Sequence, residues 1–197
     1  MSVPSATVLL DVSLSLKNLI TTFIEELRGK DKVIFRSPGE IPDDRNTKLS
    51  VFLYRLATDP WTKNQLPTFK EGPDGKFIEI PAPQALTLNY VMVPYSQEPQ
   101  TELVIADKLR RLFYNRPVLH DQWLEGRLKA SGNSRISIVP SDPPMEKIYN
   151  LWAGFSGKPY KLSLFYNLMP TFIPGEPKNT FTPVENAQLG NPVEGAS

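Results

Sequence analysis

The chain has no cysteine and a single histidine, His120, among its 197 residues. The first absence removes disulfides, thiolate metal sites and a cysteine nucleophile. The second leaves little but carboxylates to hold a metal ion. Charge of neither sign dominates: 22 Lys and Arg stand against 21 Asp and Glu, a formal net charge of +1. No broad field therefore draws in nucleic acid or an anionic membrane. Long hydrophobic runs are missing too. The opening MSVPSATVLLDVSLSLKNLI has no basic leader and no small-residue cleavage site. Asp11, Ser13, Ser15, Lys17 and Asn18 interrupt its apolar residues well short of membrane-spanning length. The expectation is a protein made and folded in a cytoplasm.

What is present is ordinary for a globular chain, with 40% apolar and 22% charged residues. The length suits one domain with a sizeable core. Proline stands out at 20 residues, gathered in loops and toward the end. Val12, Leu16, Leu19, Ile20, Phe23 and Leu27 recur at helical spacing, and Gly29 is expected to cap that helix. A short strand is expected at Lys32 to Arg36, stopped by SPGEIPDD. LSVFLYRL at Leu49 to Leu56 is apolar on both pleat faces, as in a strand covered on both sides. From Asp59 to Pro83 five prolines and two glycines forbid a long element. This insert reads as a loop or flap with one short strand at Phe77 to Ile80.

Leu86, Leu88, Tyr90 and Met92 alternate with Thr87, Asn89 and Val91, the pattern of a strand buried on one face. Pro99 opens a helix whose buried stripe is Ile105, Leu109, Leu112 and Phe113, and Asn115-Arg116-Pro117 ends it. A short helix is expected at His120 to Lys129 and a strand at Ile136 and Ile138. SDPP at Ser141 to Pro144 reads as the start of a helix buried through Met145, Ile148, Tyr149 and Trp152. Leu162, Leu164, Tyr166 and Leu168 mark a last strand. The division expected is an α+β domain at 1–173, an antiparallel or mixed β-sheet flanked by helices with a long Pro-rich loop insertion. A Pro/Gly-rich tail follows at 174–197, expected to be disordered in a free subunit.

Residues suited to catalysis are scarce. His120-Asp121 evokes a dyad, but neighbours in sequence do not generally meet in triad geometry, and no G-x-S-x-G elbow supplies a serine. Asp43-Asp44 lacks the spacing of a calcium loop, and Glu25-Glu26 fits a solvated face. Neither G-x-x-x-x-G-K-[ST] nor G-x-G-x-x-G is present. Lys108, Arg110, Arg111 and Arg116 form a local basic cluster, and its aromatic neighbours sit at core spacing, which argues against base stacking. No catalytic, metal or cofactor residue is therefore assigned. What remains is surface suited to protein contacts. Trp61 lies in the insert with Leu66 and Phe69 nearby, and either a partner covers its ring or the insert folds back over it.

Read in order, LDVSLSLKNLI, IFRSPGEIP, LSVFLYRLATDPWTKNQ, LTLNYVMVPYSQEPQTE, NRPVL, RISIVP and LWAGFSGKPYKLSLFYNLMPTFI resemble one known family. It is the N-terminal domain of tail terminators of extracellular contractile injection systems, typified by the antifeeding prophage and the Photorhabdus virulence cassettes. The resemblance implies a phage tail-terminator-like fold and a structural cap: a ring, hexameric in the family, on the end of the inner tube and sheath. Such a ring stops polymerisation and has no enzymatic activity, cofactor or small-molecule substrate. Its partners would be other copies of itself, the tube protein and the sheath protein, with no nucleic acid and no membrane. The residues expected at these interfaces are Asp59, Trp61, Lys63, Leu66 and Phe69 of the insert, and Lys108, Arg110 and Arg111 of the second helix. Rival readings are another collar or baseplate component, an enzyme with a dispersed polar site, and a small peptide-binding module with the insert as its lid.

Overall fold

The computed structural model describes residues 7–42, 46–58, 65–72, 75–155, 157–178 and 180–181. Its centre is a six-stranded sheet: β1 (Val33–Ile34), β2 (Lys48–Thr58), β5 (Gln84–Tyr95), β6 (Val118–His120), β7 (Arg135–Ser141) and β8 (Leu164–Ile173). The strand order is β1-β2-β5-β8-β7-β6. β1 joins β2 in parallel, and the other pairings are antiparallel. The sheet is therefore mixed, as expected.

Helices cover both faces. α1 (Val8–Phe23) and α2 (Pro99–Asn115) lie on one, where Leu16, Leu19, Ile20, Ile105 and Leu109 meet Leu49, Leu88, Tyr90, Met92 and Leu168. On the other face α3 (Met145–Ala153) brings Ile148 and Trp152 against Val91, Val93 and Phe165. β5 is thus buried on both faces at its end near Tyr95, although its alternation suggested one. Val91 reads as the polar side of an alternating strand, but it lies under α3 together with Val93. Each fully buried Leu or Ile contributes about 1.5–3 kcal/mol, so two covered faces hold this sheet far more firmly than one.

The polar residues of α1 have a use of their own. Asp11, Ser15 and Asn18 share one helix face at i, i+4, i+7 and receive the segment around Gly126. Glu125 N donates to Ser15 Oγ at 2.8 Å, Arg127 N to Asp11 Oδ2 at 3.2 Å, and Asn18 Nδ2 to Glu125 Oε1 at 2.6 Å. Gly126 has φ +60°, and a β-carbon there would sit 2.4 Å from the Asp11 carboxylate. This docking replaces the helix expected at His120 to Lys129. The segment instead forms β6 and two short 3-10 turns, at Asp121–Trp123 and Lys129–Ser131.

Two helix ends also differ. α1 stops at Phe23, and its last expected residue, Leu27, sits in a 3-10 turn while remaining buried. Ser141 is not a helix cap: it ends β7, and α3 begins four residues later at Met145. The double proline after Asp142 keeps the chain extended until then.

A second sheet grows from the end of the first. β3 (Thr68–Glu71), β4 (Phe77–Ile80) and β9 (Thr180–Phe181) pair antiparallel in the order β3-β4-β9. This order mirrors β2-β5-β8. β4 leads into β5 across 81–83, and β8 leads toward β9 across 174–179, so two strands of the main sheet are prolonged outward as an arm. The link between them is close: Lys178 N donates to Glu79 O at 2.8 Å. A β-carbon on Gly175 would meet Pro81 O at 2.6 Å. The Pro-rich insert thus carries a hairpin where one short strand was expected, and part of the tail pairs with it. Residues 182–197 lie outside the described part.

Candidate interaction surfaces

His120 and Asp121 do touch, contrary to expectation. Asp121 has φ +47°, which brings its carboxylate back to the imidazole, Nδ1 to Oδ2 at 2.8 Å. That hydrogen bond holds the Asp121 carboxyl below the usual carboxylate range. Both side chains are exposed, and no hydrogen bond links His120 to Ser134, which lines the same hollow. Among the described residues no group of three or more His, Asp or Glu is placed to hold a metal ion. No helix among them is long and apolar enough to cross a membrane.

The structure divides the basic cluster. Lys108 pairs with Glu26 of the turn after α1, and its hydrogen bond is the main cause that pulls the Glu26 carboxyl below its ordinary pKa. Glu26 is therefore not the freely solvated acid its place in the sequence suggested. Arg111 pairs with Asp107 one turn earlier at 2.8 Å. Arg116 lies over the Phe23 ring, 3.9 Å from its centroid, and shields a residue that would otherwise stand clear of the core. Arg110 alone of the four has no ion pair or ring contact among the described residues, and it is exposed. The α2 cluster, read from sequence as one solvated face, is three cations held in ion pairs or over a ring and a fourth, Arg110, that is exposed beside the Tyr166 hydroxyl.

On the arm, Leu66 is 85% exposed and Phe69 stands on β3, every residue of which is exposed. Asp59, Trp61 and Lys63 lie outside the described residues. Leu66 and Phe69 share the arm, while Lys108, Arg110 and Arg111 lie on α2, so the five described residues fall on two parts of the fold.

One surface escaped the sequence reading. Met145 and Tyr149 were expected in the core, yet both are at least half uncovered, and Tyr160 and Leu162 are exposed as well. The Tyr149 and Tyr160 rings lie 6.2 Å apart, and Tyr160 also meets Trp152 at 5.5 Å. A helix of nine residues touches the sheet through little more than Ile148 and Trp152. The signal was there in the four-residue apolar stripe, which is wider than so short a contact can bury.

These surfaces belong to a fold seen before. The family model described as the Pvc16 N-terminal domain matches residues 11–186. The chain belongs to this family. Among solved structures, the chain resembles the PVC sheath/tube terminator of an extracellular contractile injection system in its extended state. The TM-score is 0.62 at 17% identity, over 100% of this chain and 66% of that one. It also resembles the tube-terminating cap of the anti-feeding prophage, with a TM-score of 0.60 at 17% identity over 90% of this chain and 59% of that one. The chain thus spans about two thirds of the length of these terminators. No curated protein matches it by sequence.

Proposed function

We propose that this chain is a cap subunit of a phage-tail-like contractile injection particle, forming a ring on the end of the tube and sheath that stops polymerisation. The observation that carries this reading is the fold shared across the whole chain with a sheath/tube terminator. It acts as a structural part and not as an enzyme, with copies of itself, the tube protein and the sheath protein as partners. The ring is hexameric, assembled in the bacterial cytoplasm and carried in the finished particle.

The surfaces suit that role. A ring repeats one heterologous contact until rotation closes it, so each subunit needs two different patches for its neighbours and another for the tube. Leu66 and Phe69 of the arm, the Arg110 side of α2 and the tyrosine surface of α3 would supply three such patches, with Asp59, Trp61 and Lys63 expected to join the first.

The test is the mass of the purified protein by light scattering on a sizing column, alone and with tube subunit added. A closed oligomer that halts tube growth is expected. A monomer that ignores tubes well above micromolar concentration overturns the reading. A ring that leaves tube growth untouched reassigns the chain to a collar or baseplate.

A further inference from the structure

Each end of β7 leads to a different surface. Ser141, its last residue, pairs with Phe165, which lies under α3. Arg135, its first, pairs with His120 of the outermost strand, β6. The strand is 7 residues long, which sets its ends roughly 20 Å apart.

At the α3 end an apolar surface stands beside an acid. Tyr149 is 58% and Met145 50% exposed. Successive helix residues are turned by about 100°, so Glu146 flanks Met145 and Tyr149, while Lys147 falls on the opposite flank with Leu151. Glu146 is exposed and has no ion pair among the described residues.

At the other end is a hollow of about 450 Å³, lined in part by Pro117, Val118 and Trp123 and by two arginines, Arg116 and Arg135. Arg116 is held over the Phe23 ring, and Arg135 has no ion pair among the described residues. Asp121 is the one acid in this lining, and its carboxylate is engaged by His120. The hollow is therefore basic with apolar walls. A tyrosine ring carried next to a carboxylate complements it, the ring against the walls and the carboxylate on a guanidinium. Tyr, Trp and Arg are also the side chains that most often anchor interfaces.

The two surfaces do not meet within one chain. Ile148 and Trp152 fix α3 over Val91, Val93 and Phe165, and the hollow lies at the far end of β7. Between two chains they can meet. A contact of unlike patches leaves one of each kind free on the pair, so it repeats head to tail until rotation closes it.

We infer that α3 of one copy docks into the hollow at the β6 edge of the next, with Tyr149 in the hollow and Glu146 on Arg135. This rests on the ring reading above and names one of its contacts.

The chain has no native cysteine, so single-cysteine chains report which copy supplies which surface. Ser134→Cys and Asn150→Cys, both at exposed positions, are made in separate chains, mixed in the presence of tube subunit, oxidised and run on a non-reducing gel. Linked dimers are expected from the mixture and not from either chain alone. An assembly that forms while the mixture gives no link, or while either chain alone links as readily, overturns the contact and leaves the cap reading standing. A chain that never assembles overturns both. Charge reversal is the second arm, read from the concentration dependence of mass by light scattering. Arg135→Glu and Glu146→Arg are each expected to weaken association between subunits about tenfold, and the double variant to recover most of that loss. Equal association of all four proteins, or a double variant no better than the singles, also overturns the contact.

Discussion

The six-stranded sheet and the three-stranded arm are joined by short connections, β4 to β5 and β8 to β9, yet their burial is opposite. In the body, β5 and β8 are covered by α1 and α2 on one side and by α3 on the other. In the arm, β3 is exposed along its length and β4 is half-buried along its length. Backbone pairing is no poorer in the arm, whose ladders keep register, while β2–β5 and β5–β8 each carry a shift. Pairing alone is therefore not what distinguishes a foundation from an attachment: a small sheet without a covered apolar face adds little stability of its own. The arm is shaped by the body and left open for contact.

Four experiments break or sharpen this contrast. Trp152→Ala is expected to cost about 3–5 kcal/mol in denaturant unfolding, because Trp152 anchors α3 between Phe155 and Tyr160 and donates to Ser163 Oγ at 3.0 Å. A loss under about 1 kcal/mol would show that the α3 face is not a true second core. Gly175→Ala is expected to act only locally. The new β-carbon pushes against the Pro81 carbonyl, so amide exchange in β4 and at Lys178 should quicken by an order of magnitude, about 1.4 kcal/mol. If β5 and β8 amides quicken equally, arm and body are a single cooperative unit.

Glu26→Gln, at the body's rim, is expected to cost less than about 1 kcal/mol near neutral pH, since the Lys108 pair is partly solvated. The Glu26 pKa is lowered from 4.5 in the fold, so the charged form is the stabilising one. Its benefit is complete above that ordinary value and lost as pH falls through the lowered one. The gap in melting temperature between wild type and Glu26→Gln should therefore close in acid, and a gap that widens would contradict the pairing. Smallest is Leu66→Ser, expected to leave unfolding unchanged within about 0.5 kcal/mol while weakening assembly on tubes. A clear loss of monomer stability would mean that the arm is part of the core.

Much of the body was legible from spacing. The stripe of α1, the proline that opens α2 and the alternation of β5 and β8 are local patterns, and local patterns report which face is apolar. They do not report what covers the other face, so Val91 was read on the polar side. β9 was invisible because two residues, Thr180 and Phe181, carry no period, and their pairing with β4 is decided a hundred residues away. The basic cluster on α2 was legible as a cluster, but its division was not. The partners of Lys108 and Arg116 are Glu26 and Phe23, supplied by the end of α1.

The prolongation of β5 and β8 into the arm also has a mechanical meaning. A pull along the arm runs parallel to the strands and draws β5 and β8 the same way, so it is resisted in shear where β8 pairs with β7, from Ser137–Met169 through Ser141–Phe165. Hydrogen bonds loaded in shear must give way together, whereas a hairpin pulled from its side opens one rung at a time. The arm is rooted like a tenon, so force on its tip is carried by the central strands of the sheet and not by the loop at its base.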